Sequence, residues 1–418
     1  MSDKVSVCIV GGGMITQVQI LPSLFQLQRL GAVGDIHICA LNSAPLRALA
    51  ADATLKKAFP RQSFIAHPPL ETDPSKNMPE LFKETVASLP KHSIVVVAVP
   101  DQLHYGTLQV ALQHDHHICC VKPLVLKYAQ AEEIAETAFE RGLMVGIEYH
   151  KRFDDINLIE RRLWREGKFG DFKLGHADLH EPWYYRHSNF QNWCTAENSD
   201  AFSYIACHYI DLVHFLTGLK PTGVSVCGIK DKYPNGRDGY LWTDGRVLWE
   251  NGAVLNVQNS LSYPNEGPGG NYQGMRLFGS NGQGGTMVNH NDQFRGVEHA
   301  YTEKGDSPGD TQYAQPNPAY FQFLDLGGEG LTPAGYGFRS IAYIVQKIAE
   351  CRAQAGLEAR RAFIKKVDDE GIMATPRNSA FNELVMEAGR MSILSGGREV
   401  EISYAPAGVR FKPYEPFK

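Results

Sequence analysis

Features of several protein classes are missing from this chain of 418 residues. Its 8 cysteines form no CxxC pair and no zinc-ribbon spacing, so we expect them to be reduced core residues. No apolar run approaches the roughly 18 residues that a membrane span needs, and the amino-terminal sequence lacks the layout of a signal peptide. The sequence therefore predicts a cytoplasmic protein and argues against a disulfide scaffold, a zinc finger and a membrane partner.

A strong charge of one sign is also missing. The net charge is −5, with 41 basic and 46 acidic residues, whereas a nucleic-acid binder normally carries a basic patch or stripe. We expect no nucleic-acid partner. Hydrophobic residues make up 43% of the chain, which is enough for ordinary packed cores. At roughly 100–200 residues per domain, the length predicts two or three domains.

Strands alternate with helices over the first 150 residues. The strands are apolar runs rich in β-branched residues, typical of strands buried on both faces; they are predicted at 5–10, 36–41, 93–99, 118–121 and 143–148. Helical segments such as 17–30 and 129–141 separate them. This alternation predicts an α/β fold with a doubly wound parallel sheet, and we assign residues 1–150 to it.

The pattern changes after residue 150. Strands separated by short turns are predicted at 172–180, 223–228, 245–249, 253–259 and 275–278, with helices at 204–216, 338–355 and 380–395. Consecutive strands with short turns indicate an antiparallel sheet. Residues 151–418 are therefore expected to form a second α/β domain with a large, open, mostly antiparallel sheet.

A glycine loop follows the first strand. Gly11 and Gly13 match the first two glycines of GxGxxG, while Thr16 stands where the third is usual. Such glycines let main-chain N–H groups approach a pyrophosphate at a helix amino terminus. We predict that Gly11, Gly13, Met14 and Ile15 contact a dinucleotide in a Rossmann domain. The alternative is a strand-to-helix turn without a ligand.

The end of the second strand carries Asn42 where an acidic ribose-binding residue would be expected. Asn42 can hydrogen-bond a ribose hydroxyl and would not repel a 2′-phosphate, which Ser43 and Arg47 could help to bind. The predicted cofactor is NAD, with NADP as the alternative. Asn42 could instead simply end the strand.

Several motifs follow one another in a fixed order: the glycine loop, VVVAVPDQLH at 95–104, Lys122-Pro123, YHKRF at 149–153, and the helical pair His208 and Asp211. This order resembles the Gfo/Idh/MocA oxidoreductases, the family of glucose–fructose oxidoreductase and inositol dehydrogenase. The resemblance covers roughly residues 5–260. It implies a Rossmann domain, a substrate-binding and oligomerisation domain, and NAD(P)-dependent hydride transfer on sugars, cyclitols or related polyols.

The position of Lys122 favours a role in the site independently of the resemblance. It precedes a proline at the carboxyl end of a buried strand, where ligands of α/β sheets bind. Its ammonium could stabilise an alkoxide. Val121 departs from the family's usual Glu-Lys-Pro. The resemblance also implies cofactor contacts from Pro100, His104 and Lys122 itself. The alternative for Lys122 is an ordinary surface lysine at a strand end.

The resemblance makes His208 the catalytic histidine and Asp211 the acid that follows it, in contact with substrate. Histidine suits proton transfer near neutral pH. The family usually has an aspartate four residues before the histidine; Tyr204 stands there and is predicted to donate a hydrogen bond to the reacting oxygen. Tyr204, His208 and Asp211 stand at i, i+4 and i+7, which predicts that they share one face of a helix. A purely structural pair of His208 and Asp211 is the alternative.

The stretch 180–193 is dense in aromatic, amide and charged residues. Aromatic faces pack against sugar rings while polar groups bind hydroxyls. The predicted substrate contacts are Lys122, His150, Arg152, His180, Arg186, Asn192, Trp193, His208 and Asp211. An exposed loop with buried aromatic anchors is the alternative. No metal is predicted, because His176 and His180 on one strand would lie roughly 13 Å apart.

The sequence as a whole predicts an NAD(P)-dependent oxidoreductase that acts on a hydroxyl or keto carbon of a sugar, glycoside or cyclitol. The predicted assembly is a homodimer or homotetramer. Two alternatives stay open. One is a glycosidase or lyase that retains its NAD and oxidises a ring carbon transiently. The other is a non-catalytic sugar or nucleotide sensor on the same fold, for which loss of Lys122 or His208 would have been strong support.

Overall fold

The computed structural model describes residues 4–266, 270–292, 300–304, 310–314 and 319–413. Its strands are β1 Val5–Val10, β2 Val33–Cys39, β3 Ile65–His67, β4 Ile94–Val97, β5 His117–Val121, β6 Val145–Glu148, β7 Asp171–Pro182, β8 Pro221–Lys232, β9 Asp238–Trp249, β10 Val254–Tyr263, β11 Tyr272–Ser280, β12 Gly285–Asn291, β13 Ala300–Lys304, β14 Asp310–Ala314, β15 Gln322–Leu324, β16 Thr332–Ala334, β17 Val400–Tyr404 and β18 Ala407–Phe411.

Helices alternate with the first six strands and reappear at the end of the chain. They are α1 Leu21–Arg29, α2 Ser43–Ala51, α3 Ala53–Ala58, α4 Leu81–Ser88, α5 His104–Gln113, α6 Tyr128–Arg141, α7 Asp155–Arg165, α8 Phe190–Trp193, α9 Cys207–Thr217, α10 Tyr336–Arg352, α11 Leu357–Glu370, α12 Pro376–Ser379 and α13 Phe381–Leu394. Short π-helical turns span Thr16–Ile20 and Phe202–Ala206.

The first compact unit combines Met1–Asp154 with Ala319–Ala380. Its sheet has the order β3-β2-β1-β4-β5-β6, and all its strand pairs are parallel. β4 is buried along its whole length, as expected of a central strand covered on both faces. The predicted doubly wound parallel sheet is confirmed.

Residues 319–380 depart from the predicted division at residue 150, because they return to the first unit. The apolar face of α10 supplies Ile341, Ile344 and Ile348 to the same core as Ile9 on β1. Gly146 on β6 allows this close packing, since a Cβ there would lie 2.8 Å from Ile344 Cγ2. The amphipathic sequence of a helix predicts that one of its faces is buried, but it does not predict which sheet that face packs against.

The second unit combines Asp155–Pro318 with Phe381–Lys418. Its eight-stranded sheet has the order β12-β11-β7-β10-β9-β8-β17-β18. β10 pairs with β7 in parallel, and the other neighbours pair antiparallel. The predicted large, mostly antiparallel sheet is confirmed, although β17 and β18 were not foreseen. α13 packs on β8, where Ser392 Oγ accepts a hydrogen bond from the Val226 N–H at 2.8 Å.

Candidate functional site

The glycine loop joins β1 to the first helical turn at the carboxyl edge of the parallel sheet. Gly11 has φ +118°, and a Cβ there would lie 2.0 Å from the Ala98 carbonyl oxygen, so this position requires glycine. A Cβ at Gly13 would meet no atom within 4 Å. The loop therefore packs tightly against the residue after β4 at one glycine and leaves open space over another, which suits a phosphate group approaching the main chain.

Thr16 stands in the third glycine position without disturbing the loop. Its side chain is buried, and its hydroxyl donates to the Gly11 carbonyl oxygen at 2.8 Å. The helix begins there as a π-helical turn, Thr16–Ile20, before α1. The predicted cofactor residues Met14 and Ile15 lie between Gly13 and this turn and are not fully buried.

The predicted ribose-binding residues lie where β2 gives way to α2. Asn42 caps α2, because its side chain accepts a hydrogen bond from the Ala44 N–H. The Ser43 hydroxyl donates to the Thr72 carbonyl oxygen at 2.6 Å. Arg47 donates to the carbonyl oxygens of Leu70 and Thr72 at 2.6 and 3.1 Å. Ser43 and Arg47 therefore hold the 70–72 loop beside Asn42.

Lys122 follows β5, and the side chain of His104 fixes the loop that carries it. His104 is fully buried, with Nδ1 at 2.8 Å from the Pro123 carbonyl oxygen and Nε2 at 2.9 Å from that of Val99. Both ring nitrogens thus contact the main chain. We predicted a cofactor contact for His104; in the structure it joins the turn before Pro100 to the Lys122-Pro123 loop, whose peptide bond is cis.

His150 and Arg152 follow β6 in a short 3₁₀ turn, His150–Phe153. His150 Nδ1 lies 3.1 Å from Glu148 Oε2, and the side chain is 15% exposed. Arg152 is buried, with its guanidinium 5.9 Å from the Tyr149 ring centroid. Because β1, β4, β5 and β6 are parallel, the glycine loop, Lys122 and His150 all leave the same edge of the sheet.

In the second unit, His208 and Asp211 lie in the first two turns of α9. His208 is 8% exposed and Asp211 is 1% exposed. Asn382 on α13 donates its side-chain N–H to Asp211 Oδ1 at 3.0 Å. This amide orients the Asp211 carboxylate and offsets part of the cost of burying it.

Tyr204 lies in the π-helical turn Phe202–Ala206, immediately before α9. A π turn holds more residues than an α turn, so the regular i, i+4 spacing of Tyr204 and His208 that we assumed does not apply. The Tyr204 ring packs edge-on against Phe190 and Trp193, with centroids at 4.9 and 5.6 Å. The structure therefore brings the predicted residues Tyr204 and Trp193 together in one aromatic cluster.

The contacts that fix the Arg186 side chain come from residues of the second unit. It is buried, donates to Asp231 and to the Leu261 carbonyl oxygen, each at 2.6 Å, and stacks on the Trp183 ring at 3.9 Å. These contacts fix the Arg186 side chain within the 180–193 stretch that we predict to contact substrate.

The other two substrate residues predicted from this region are differently placed. Asn192 is exposed and bonds Asn189 at 3.0 Å. His180 lies at the end of β7, with Nδ1 at 2.8 Å from Ser260 Oγ and its ring stacked on Tyr272 at 6.1 Å. The two side chains thus make separate local contacts within the second unit.

Asn382 and Glu148 contact predicted site residues, but neither of them was predicted from the sequence. Asn382 lies 171 positions from Asp211, and no local pattern links them. Glu148 had a signal: it is the single acid in an apolar strand, LMVGIE, directly before YHKRF. An acid inside a buried strand must find partners, and this one contacts His150.

In the described part of the chain, no group of three or more His, Cys, Asp or Glu side chains could hold a metal ion. No helix among those residues is both long enough and apolar enough to cross a membrane.

Comparison with known proteins gives two family matches. Residues 5–149 match the oxidoreductase family with an NAD-binding Rossmann fold, and residues 160–283 match the GFO/IDH/MocA C-terminal domain. Curated relatives match over short stretches, and the chain spans about a fifth to two fifths of the length of the first of them. The 2,7-anhydro-N-acetylneuraminate hydratase of Mediterraneibacter gnavus is 26% identical over 35% of this chain and 38% of the relative.

Solved structures agree with this chain over nearly their whole length. GenD2 from gentamicin A biosynthesis, in complex with NAD, superposes with a TM-score of 0.64 at 17% identity, covering 96% of this chain and 97% of that one. The scyllo-inositol dehydrogenase of Lactobacillus casei, with bound NAD(H) and scyllo-inositol, has a TM-score of 0.60 at 16% identity, covering 96% and 99%. The fold, the glycine loop and the two matched domains together place this chain in the Gfo/Idh/MocA family of oxidoreductases.

Proposed function

We propose that this protein is an NAD(P)-dependent dehydrogenase or reductase, which acts on a hydroxyl or keto carbon of a sugar, glycoside or cyclitol. One observation carries the proposal. The carboxyl edge of the first unit's sheet combines a glycine loop, with open space over Gly13, and Lys122 one residue past the end of β5. Ligands of open α/β sheets bind at this edge.

The residues present fit a dinucleotide. The main chain at Gly11 and Gly13 would bind the pyrophosphate, and Asn42 would hydrogen-bond the ribose. When bound, the nicotinamide supplies the hydride acceptor or donor. His104 would act indirectly, since its two contacts with main-chain carbonyls hold the Lys122-Pro123 loop in place.

The remaining chemistry belongs to the side chains. In the oxidising direction, His208 accepts the proton of the substrate hydroxyl, a transfer that histidine performs near neutral pH. Lys122 stabilises the negative charge that develops on the oxygen. Asp211, oriented by Asn382, binds a neighbouring substrate hydroxyl or His208 itself, and Tyr204 donates a further hydrogen bond.

We also propose that the protein is homo-oligomeric and cytoplasmic. Leu174, Phe278 and Met287 lie side by side across β7, β11 and β12 in the strand register. They are 52%, 44% and 57% exposed, and such an apolar row on an open sheet favours association with another copy. None of the 8 cysteines, all of which lie in the described part of the chain, forms a disulfide, and seven are buried, which supports a reducing compartment.

A second candidate function is favoured by one comparison. The hydratase named above is similar in sequence to this chain, which belongs to an oxidoreductase family. Its name nevertheless describes a reaction without net oxidation. An enzyme that retains NAD and oxidises a substrate carbon only transiently would use the same cofactor loop, Lys122 and His208. A non-catalytic sensor is less well supported, because both of those residues are present.

The test is a panel of sugars, cyclitols and glycosides with NAD or NADP, followed at the absorbance band of the reduced cofactor. Net reduction with a cyclitol or sugar supports the dehydrogenase. Substrate conversion without net reduction, with cofactor that copurifies, supports the second candidate. Cofactor binding without conversion of any compound contradicts both and leaves the sensor.

A further inference from the structure

Glu148, the last residue of β6, is a buried carboxylate with both oxygens engaged. Its Oε1 accepts hydrogen bonds from Gln19 Nε2 at 2.7 Å and from Ser340 Oγ at 2.6 Å. Its Oε2 lies 3.1 Å from His150 Nδ1. Only 4% of the Glu148 side chain is exposed. Since a buried charge needs partners, this set of contacts is a built site rather than a chance approach.

The partners of Glu148 are themselves held in place. Gln19 donates to the Gly337 carbonyl oxygen at 3.0 Å and accepts from the Tyr320 hydroxyl at 2.5 Å. The His150 ring packs on Tyr320 and Tyr336, with centroids at 5.2 and 5.6 Å. The returning segment 319–380 therefore supplies much of the wall around this carboxylate–histidine pair.

The pair fixes the tautomer of His150. An ionised carboxylate only accepts hydrogen bonds, so the hydrogen between the two groups belongs to His150 Nδ1. In the neutral imidazole the other nitrogen, Nε2, is then a hydrogen-bond acceptor. An amide or hydroxyl in place of Glu148 would not impose this choice.

His150 and Lys122 follow neighbouring strands of the parallel sheet. Val121 and Glu148 are register partners on neighbouring strands, which lie about 4.8 Å apart. Lys122 follows the first of them, and His150 follows the second by two residues. The two side chains therefore leave adjacent strands at the edge where ligands of α/β sheets bind.

We propose that Glu148 is a positioning residue, which holds His150 with Nε2 as the acceptor for a hydroxyl group of a polyol substrate beside Lys122. The inference rests on the proposed function. Lys122 would stabilise the oxygen that loses its proton, while His150 would bind a second hydroxyl, so the favoured substrates carry at least two hydroxyls near the reacting carbon.

The first measurement concerns the tautomer and needs no turnover. Nitrogen-15 NMR of histidine-labelled protein, with the His150 signals assigned from His150→Asn, should show Nδ1 protonated and Nε2 unprotonated. In Glu148→Gln this preference should be lost. Glu133→Gln is the matched control, because Glu133 is an exposed glutamate of the same unit that bonds Tyr105, and it should leave the signals unchanged. Protonated Nε2 in the unaltered protein would overturn the inference.

The second measurement uses the substrate found in the panel. Loss of one hydrogen bond to substrate should raise its KM by about 3- to 10-fold in His150→Asn, with a similar rise in Glu148→Gln. Cofactor affinity should stay within about twofold of that of Glu133→Gln, and a substrate analogue without the second hydroxyl should bind all four proteins equally.

The outcomes separate the two proposals. If the unaltered protein converts nothing on the panel, the proposed function fails, and the NMR result still stands on its own. If it is active and both variants keep its KM and kcat, Glu148 is only a structural residue. If the variants weaken the cofactor instead of the substrate, His150 binds a cofactor hydroxyl and the inference is overturned.

Discussion

The side-chain amide of Asn42 donates a hydrogen bond to Asn77 Oδ1 at 2.9 Å, while its own Oδ1 accepts from the Ala44 N–H at 3.1 Å. Asn42 therefore caps α2 and contacts a second loop at the position where a ribose-reading side chain would lie. Ser43 and Arg47 already bond carbonyl oxygens of the 70–72 loop. A cofactor phosphate at this position would have to compete with those contacts.

We expect Asn42→Asp to weaken NADP binding much more than NAD binding. Aspartate caps a helix as well as asparagine, so α2 should persist, while its carboxylate accepts ribose hydrogen bonds and repels a 2′-phosphate. Cofactor dissociation constants measured by fluorescence titration check this. An unchanged ratio of NADP to NAD affinity would show that another residue reads the ribose.

Lys122→Ala and His208→Ala should each lower turnover by roughly 10²-fold or more, because one removes the charge that stabilises the alkoxide and the other the proton acceptor. Single-turnover kinetics with the substrate found in the panel measure this, alongside cofactor titration to confirm that binding persists. Lys173→Ala is a suitable control, since Lys173 is an exposed lysine paired with Asp171. Turnover near that of the control would remove either residue from the mechanism.

Stability should fall in acid partly through His117, whose Nδ1 accepts a hydrogen bond from the Met144 N–H at 2.9 Å. The pKa of His117 lies well below its ordinary 6.5, mainly because the side chain is buried. Nearby groups lower it further: His92, Arg352, Arg360 and His116. Below about pH 6.5 the unfolded chain therefore takes up a proton that the folded chain does not. The stability contributed by neutral His117 is present above that pH and is lost as pH falls.

His117→Asn should flatten this loss, because the asparagine oxygen can still accept from Met144 but does not titrate. The measurement is the melting temperature between pH 8 and pH 5. Equal slopes for the variant and the unaltered protein would assign the acid sensitivity to other groups.

Phe278→Glu should shift the protein toward the monomer if the row of Leu174, Phe278 and Met287 forms the contact between copies. A charge placed in a buried apolar interface is costly, whereas on a solvent-exposed strand it is tolerated. Light scattering gives the mass of each protein in solution. A single-chain mass for the unaltered protein would contradict the proposed oligomer, and an unchanged oligomer in the variant would move the interface elsewhere.

Much of the candidate cofactor site follows from short stretches of sequence. The apolar run 5–10, the glycines after it and Lys122-Pro123 are local patterns whose geometry neighbouring residues enforce, so the parallel sheet and the glycine loop were predicted correctly. Where the chain departs from the usual motif, the structure supplies the reason: the hydroxyl of Thr16 bonds back to Gly11. The regular helix assumed for Tyr204 failed, because hydrophobic spacing does not reveal a π turn.

The sequence by itself determined two α/β domains, the edge of the first sheet where we propose that ligands bind, and the residue types available for proton transfer. Only the tertiary structure decided the partners of those residues: Asn382 beside Asp211, Gln19 and Ser340 on Glu148, and α10 packed against the first sheet rather than the second. The local sequence pattern predicts whether a side chain is buried. The partner that satisfies it is chosen by packing between segments more than a hundred residues apart, where burial without a hydrogen bond would cost free energy.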